Sequence, residues 1–242
     1  MDNETAELIG YAIGNGCVTK SGRLEITVGG HEEGIALGIS RRINQLAETV
    51  GRSSSRIVDV RPMPLESSKK KYPGHYVYRV GSGNKNLVSY LNDYALLNKG
   101  SQFKQLTDNF LDTRSDYLLA CLRGLFTADG SAGRSRVSFA TTSRELAEQV
   151  RFILNVNGID SDLFTEGSRP RRKQGYTVRV SANSWKVFEE KVGFLPESLK
   201  TLRLRAMIAR GKGSNGRTTR PTQHILFRLE GSAAQQSLLL PC

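Results

Sequence analysis

The sequence predicts an α+β fold built from two similar halves related by a pseudo-twofold axis, with a packed helix pair at the centre. Three observations carry that reading. The segment LIGYAIGNG at Leu8–Gly16 is echoed by LRGLFTADG at Leu122–Gly130, with leucine, glycine and glycine at the first, third and ninth places. A strand-like alternation and then an amphipathic stretch follow each copy. YVYRV at Tyr76–Val80 is answered by YTVRV at Tyr176–Val180.

Each element has its own justification. Glycine inside a helix costs roughly 1 kcal/mol relative to alanine, so Gly10 and Gly14, four apart on one face, call for a reason. Gly124 and Ala128 repeat that spacing in the second copy. Small residues so placed let two helix backbones approach closely, which makes these four the expected helix interface. A short turn then leads to RLEITVG, where Leu24, Ile26 and Val28 face inward while Arg23, Glu25 and Thr27 face outward. The matching strand, SRVSFAT, turns Val137 and Phe139 in and Arg136 and Ser138 out. Next come EEGIALGISRRINQLAETVG and SRELAEQVRFILNVNGI. In the first, Ile35, Ile39, Ile43, Leu46 and Val50 share one helix face.

Two basic stretches, SKKKYPG and SRPRRKQG, read as hairpin tips between extended arms. Helical segments NKNLVSYLNDYALL and SWKVFEEKVGFL close the halves, which are expected to span 1–110 and 111–210. Beyond Arg210, GKGSNGRTTRPTQ has the composition of a linker. HILFRLE suits one strand and GSAAQQSLLLPC a tail, so 211–242 is expected to be a flexible linker and tail.

The chain has 242 residues, 38% of them hydrophobic, enough for one large or two small cores. No apolar run approaches the ~20 residues a membrane span requires, so no membrane partner is expected. The opening MDNETAELIG is acidic and lacks the basic flank of a secretory signal. Cys17, Cys121 and Cys242 are too scattered for a disulfide framework, and with only three histidines a His/Cys metal cage is not expected. The expected setting is intracellular, in cytoplasm or an organelle matrix. A net charge of +12 points to an anionic partner. The surplus clusters between Leu163 and Arg220, where 14 Lys or Arg face 4 Glu, and nucleic acid is the commonest polyanion. GKGSNG matches G-x-G-x-x-G but follows the helical LKTLRLRAMIAR rather than a strand, so no nucleotide cofactor is expected.

If the two glycine-bearing helices cross side by side, their C-terminal ends meet near the axis. Such ends carry partial negative charge and unpaired carbonyls. A carboxylate added there makes a hard, oxygen-rich site suited to Mg²⁺, and metal at that place can activate water and stabilise a leaving phosphodiester oxygen.

These segments, and the order of elements after each, resemble the two motifs of the LAGLIDADG homing endonucleases in their single-chain, two-motif form. VGFLPESLK is similar to a block of the intein-encoded, dodecapeptide branch. The resemblance covers residues 5–208. It implies a monomer of two pseudo-twofold-related α/β halves, with antiparallel DNA-binding sheets around the central helix pair. It also implies cleavage with Mg²⁺, for which Mn²⁺ or Ca²⁺ can substitute in the site. The motif acids map onto Asp129 and, as a departure, onto Asn15, with the neighbouring carbonyls of Ala128 and Gly14 completing the metal site. By position, Lys200 in GFLPESLK and Lys104 in SQFKQLTDNF map onto the basic residues near the scissile phosphates, although Thr107 stands where the family often has proline. The chain opens without a nucleophilic Cys or Ser and has no His-Asn pair before Cys242. An endonuclease unit without a splicing domain, freestanding or excised from a host protein, is therefore expected.

The partner so implied is double-stranded DNA. Arg23, Arg79, Arg136 and Arg179 fall on the expected DNA face, where arginine suits bidentate contacts to guanine. Glu25, Thr27, Ser138 and Thr177 are also placed to read bases. Lys69, Lys70, Lys71, Arg169, Arg171, Arg172 and Lys173 occupy the expected tips, suited to phosphate. The expected function is sequence-specific cleavage at a long DNA target, attenuated or inactivated by Asn15. A non-cleaving DNA-binding protein and an RNA maturase are the alternatives on the same scaffold.

Overall fold

A computed structural model describes residues 1–51, 59–64, 76–133, 135–167 and 173–210, with 59–64 described through the backbone alone. The expected tips Lys69, Lys70, Lys71, Arg169, Arg171 and Arg172, and the whole segment 211–242, lie outside the described residues.

The first half runs α1 (Asn3–Asn15), β1 (Gly16–Val18), β2 (Leu24–Gly29), α2 (Glu33–Thr49), β3 (Asp59–Pro64), β4 (Tyr76–Ser82) and α3 (Lys85–Asn92). A short α4 (Asp108–Leu111) leads into the second. That half repeats the order as α5 (Ser115–Asp129), β5 (Gly130–Gly133), β6 (Arg136–Thr141), α6 (Arg144–Val156), β7 (Ser161–Thr165), β8 (Tyr176–Val180) and α7 (Trp185–Lys191), and α8 (Leu199–Ala209) follows. The two four-stranded sheets share one order, β1-β2-β4-β3 and β5-β6-β8-β7. Among the described residues every strand pairing is antiparallel.

The expected alternation holds. Leu24, Ile26, Val28, Val137 and Phe139 are buried, and Ile35, Ile39, Ile43 and Leu46 line the buried face of α2. Phe126 anchors the second half, with ring centroids 4.9 Å from Phe188 and 5.9 Å from Phe139.

Main chain meets main chain where α1 crosses α5. A methyl group on Gly10 would overlap the Cys121 carbonyl oxygen and lie 2.7 Å from its carbon. One on Gly124 would overlap the Glu7 carbonyl oxygen and lie 2.9 Å from the Tyr11 nitrogen. The two glycines thus perform one reciprocal task across the pseudo-twofold. Gly14 continues the seam against Ala128.

Three expectations are corrected. The stretches after the two nonapeptides are not simple turns, for Gly16 and Gly130 are extended and begin strands β1 and β5. Each donates its N–H back to its helix, to Ala12 O and Phe126 O. A side chain there would collide with the helix it has just left, 2.9 Å from Ala12 Cα or 2.8 Å from Phe126 Cα. The helix expected to reach Leu97 ends at Asn92, because Ala95 bridges Leu106 and the chain there is extended. The one expected to reach Leu195 ends at Lys191, just before Gly193 takes φ 61°.

The crossing sets a sharp stability contrast. Gly10→Ala or Gly124→Ala should lower the unfolding free energy by about 3 kcal/mol, since backbone must separate to admit the methyl. Gly38→Ala, in open space on α2, should instead raise it by about 0.5–1 kcal/mol. Urea unfolding of the three variants measures both signs.

Candidate active site

The C-terminal ends of α1 and α5 lie together because the glycine seam runs to them. Asp129 closes α5 and Asn15 closes α1. The Asp129 carboxylate stands against Gly14, its Oδ2 3.5 Å from where a Cβ on that glycine would sit.

Each helix end is capped by a lysine from a distant part of the chain. Lys104 donates to the carbonyl oxygens of Ile13 (2.6 Å), Gly14 (2.9 Å) and Gly16 (2.8 Å). Lys200 donates to those of Thr127 (2.5 Å) and Ala128 (3.2 Å). Helix C-termini favour cations, and two such ends with a carboxylate between them make a strongly electronegative spot. Burial pushes both ammonium groups below the ordinary lysine range, with the charge of Asp129 opposing the shift at each and Glu32 opposing it at Lys200. The protein crowding Asp129 pushes its carboxyl above the ordinary range, opposed by both lysines. The Asp129 side chain is nevertheless exposed to solvent, and water screens much of that shift.

The donor set is wholly oxygen: the Asp129 carboxylate, the Asn15 amide oxygen and the Gly14 and Ala128 carbonyls, of which the two carbonyls already accept from Lys104 and Lys200 and keep one lone pair each for a metal. It fits a hard divalent ion such as Mg²⁺, which keeps several waters and takes only one or two carboxylates from protein. No group of three or more His, Cys, Asp or Glu side chains gathers for a metal among the described residues, so any ion here relies on main-chain oxygen and water. A cleft of about 770 Å³ opens onto Asp129 and Lys104, with Thr141, Thr142 and Tyr176 in its wall and Lys173 also lining it.

The outward faces of the sheets carry the expected readers. In the first sheet Glu25 lies 3.9 Å from Arg23 and 3.6 Å from Arg79, beside exposed Thr27. In the second, Arg136 is exposed, Ser138 and Arg179 are paired in register, and Thr177 donates to Glu166 at 3.1 Å. The Arg179 guanidinium lies 4.4 Å from the Phe164 ring centroid.

Sequence reasoning missed several neighbours of the site. Phe164 sits exposed on β7, in a strand too short to show alternation. Tyr11 is buried with its hydroxyl beside the Asn15 amide, short of a hydrogen bond of ordinary geometry. Its place on a core helix face made it look like packing. Buried Glu32 precedes one ordinary amphipathic helix and buried Gln149 sits within another, and no local pattern marks them.

Residues 116–193 match the LAGLIDADG-like domain family. The chain is 25% identical over 197 residues to a replication factor C small subunit of Methanocaldococcus jannaschii, covering 81% of this chain and 10% of that protein. It is 27% identical over 209 residues to an ATP-dependent DNA helicase of Thermococcus kodakarensis, covering 80% of this chain and 17% of that one. The chain therefore spans only a small part of the curated relatives it matches. Among solved structures, the homing endonuclease I-DmoI in complex with DNA and Ca superposes with a TM-score of 0.57 at 17% identity, over 84% of this chain and 97% of that one. Two antiparallel sheets around a central helix pair are thus the LAGLIDADG homing endonuclease fold.

The caps make the lysines structural as well as electrostatic. Replacing Lys104 with Met should strip the α1 carbonyls of their donor and cost about 1–3 kcal/mol of unfolding free energy. Lys186→Met, on the exposed surface of α7, should stay within about 0.5 kcal/mol. Chemical denaturation of the pair separates the two cases.

Proposed function

We propose that this chain is a sequence-specific DNA endonuclease of the single-chain LAGLIDADG type, attenuated by Asn15. The observation that carries the reading is the pair of converging helix ends, one closed by Asp129 and each bound by a lysine. Two sheet faces bearing Arg23, Arg79, Arg136 and Arg179 flank those ends. Structures of the similarly folded I-DmoI are described with DNA and Mn and with target DNA and Mg. Both support a divalent ion and DNA as partners here, and the doubled motif within one chain supports a monomer that contains its own twofold acting on duplex DNA.

Asp129, the Asn15 amide oxygen and the carbonyls of Gly14 and Ala128 are the residues that would hold Mg²⁺. When bound, such an ion acts as a Lewis acid toward the phosphate and eases deprotonation of a water. The remaining work belongs to the chain. Lys104 and Lys200 keep positive charge beside the helix ends, where it draws the scissile phosphates. The sheet faces hold the duplex in register, arginine and the polar side chains reading base edges while further lysines and arginines contact phosphate.

Matches to small portions of a replication factor subunit and a helicase, proteins of unrelated named activity, support a unit inserted into different hosts. VGFLPESLK supports the intein-encoded branch. This reading places the chain inside the cell, with halves at 1–110 and 111–210 and a linker or tail beyond. A second reading, a DNA-binding protein that no longer cuts, draws on Asn15. The amide keeps an oxygen for metal but removes one negative charge.

Cleavage of the cognate duplex decides between them. Asn15→Asp should raise the Mg²⁺-dependent rate by orders of magnitude, and Asp129→Asn should abolish whatever activity the chain has with Asn15 in place. An Asn15→Asp variant that binds but does not cut would leave the non-cleaving reading standing. DNA affinity should itself fall by about 10³–10⁵ between 50 and 200 mM salt if 6–10 phosphates are contacted. Arg79→Ala or Arg179→Ala should change preference at particular base pairs, as a binding-site selection would register.

A further inference from the structure

The two lysines at the helix ends are each held by a device from the opposite half. Lys200 belongs to α8, whose first turn is capped by Ser198, the hydroxyl oxygen accepting from the Lys200 N–H at 3.4 Å. Ser198 is 2% exposed, and its hydroxyl donates to Glu32 Oε1 at 2.9 Å. Glu32 stands at the N-cap position of α2 in the first half, yet its carboxylate makes no capping bond to its own helix. It is 8% exposed. A buried carboxylate that neglects the helix it begins and reaches 166 residues along the chain is costly unless the reach matters.

The same logic operates in the other direction. Lys104 belongs to the first half, and Leu106 follows it by two residues. The Gln149 side chain, from the middle of α6 in the second half, accepts from the Leu106 N–H at 2.9 Å. It also donates to the Leu106 carbonyl at 3.0 Å. Gln149 is buried, and both ends of its amide are spent on the main chain of that one residue.

We propose that Glu32 and Gln149 are positioning residues, each fixing across the pseudo-twofold the lysine of the other half. Glu32 orients the Ser198 hydroxyl and so the first turn of α8, from which Lys200 reaches the end of α5. Gln149 pins the strand-like segment from which Lys104 reaches the end of α1. Neither lysine centre is complete within one half. The clamps differ in kind: a carboxylate acting through a hydroxyl for Lys200, an amide on main chain for Lys104.

The clamp is read from the geometry alone, while its consequence for cutting rests on the nuclease reading. The test therefore has two arms. In the first, the intact chain is acylated with acetic anhydride and the rate at each lysine is followed by mass spectrometry. Glu32→Ala and Ser198→Ala should each raise acylation of Lys200 about tenfold, the equivalent of one lost hydrogen bond to a charged group, and leave Lys104 unchanged. Gln149→Ala should do the reverse. Glu32→Gln, which keeps an acceptor for Ser198, should retain most of the protection. Both lysines rising together in every variant, or neither rising, overturns the proposal.

In the second arm, strand-resolved nicking in the Asn15→Asp background should show Glu32→Ala slowing one strand and Gln149→Ala the other, at unchanged DNA affinity. Equal slowing of both strands would also count against the clamps. Selective acylation without cleavage in any variant would leave the clamps standing and remove the nuclease reading.

Discussion

Where α1 crosses α5, no side chain separates the two backbones: Gly10 faces the Cys121 carbonyl and Gly124 faces the Glu7 carbonyl. The approach is closer than any pair of side-chain-bearing helices permits, and the rest of the molecule follows from it. The reciprocal contact fixes both the crossing point and the pseudo-twofold. It carries the seam through Gly14 and Ala128 to the helix ends, so Asp129 arrives against Gly14, the neighbour of Asn15. Because Gly16 and Gly130 turn directly from helix to strand, the sheets are anchored to those same ends, and the outward arginines take their places from the crossing too.

Bringing two helix C-termini together also concentrates negative partial charge. Both ends present carbonyls, and Asp129 adds a full charge to one of them. The arrangement is tolerable because Lys104 and Lys200 reach in from remote segments and satisfy five carbonyl oxygens between them. The asymmetry follows the chemistry of the ends. The lysine beside Asn15 finds three carbonyls, and the lysine beside Asp129 finds two carbonyls and the field of Glu32. A lysine so held loses solvation, which moves its pKa down, and the nearby carboxylates oppose that shift.

Much of this was legible in the sequence, for identifiable reasons. The glycine spacing, the strand alternation and the basic balance are local or periodic signals. They led to the helix pair, to the buried Leu24–Ile26–Val28 face and to an electronegative centre containing Asp129. The family resemblance supplied Lys104 and Lys200, residues no periodicity would single out. Illegible were the features that exist only once distant segments meet. Glu32 resembles any acidic residue at a helix start, and Gln149 resembles any polar residue on an amphipathic helix. Their roles depend on Ser198 and Leu106, 166 and 43 residues away. The short strands β1 and β5 escaped because an extended glycine after a helix reads as a turn until the antiparallel partner is seen.

The two sheets share a topology but not a surface. The first presents an interlocked ion network, Arg23–Glu25–Arg79, in which an acid holds two guanidinium groups. The second presents Arg179 with its guanidinium over an aromatic ring, with Ser138 opposite it in the ladder. An acid-braced arginine and a ring-braced arginine do not make the same demands on a base edge. A duplex lying across both faces would meet different chemistry on either side of its centre, so the favoured site would have a direction rather than a palindrome's indifference to being turned around. The protein would seat in one orientation only, and that polarity would decide which strand meets the Asp129 end and which the Asn15 end.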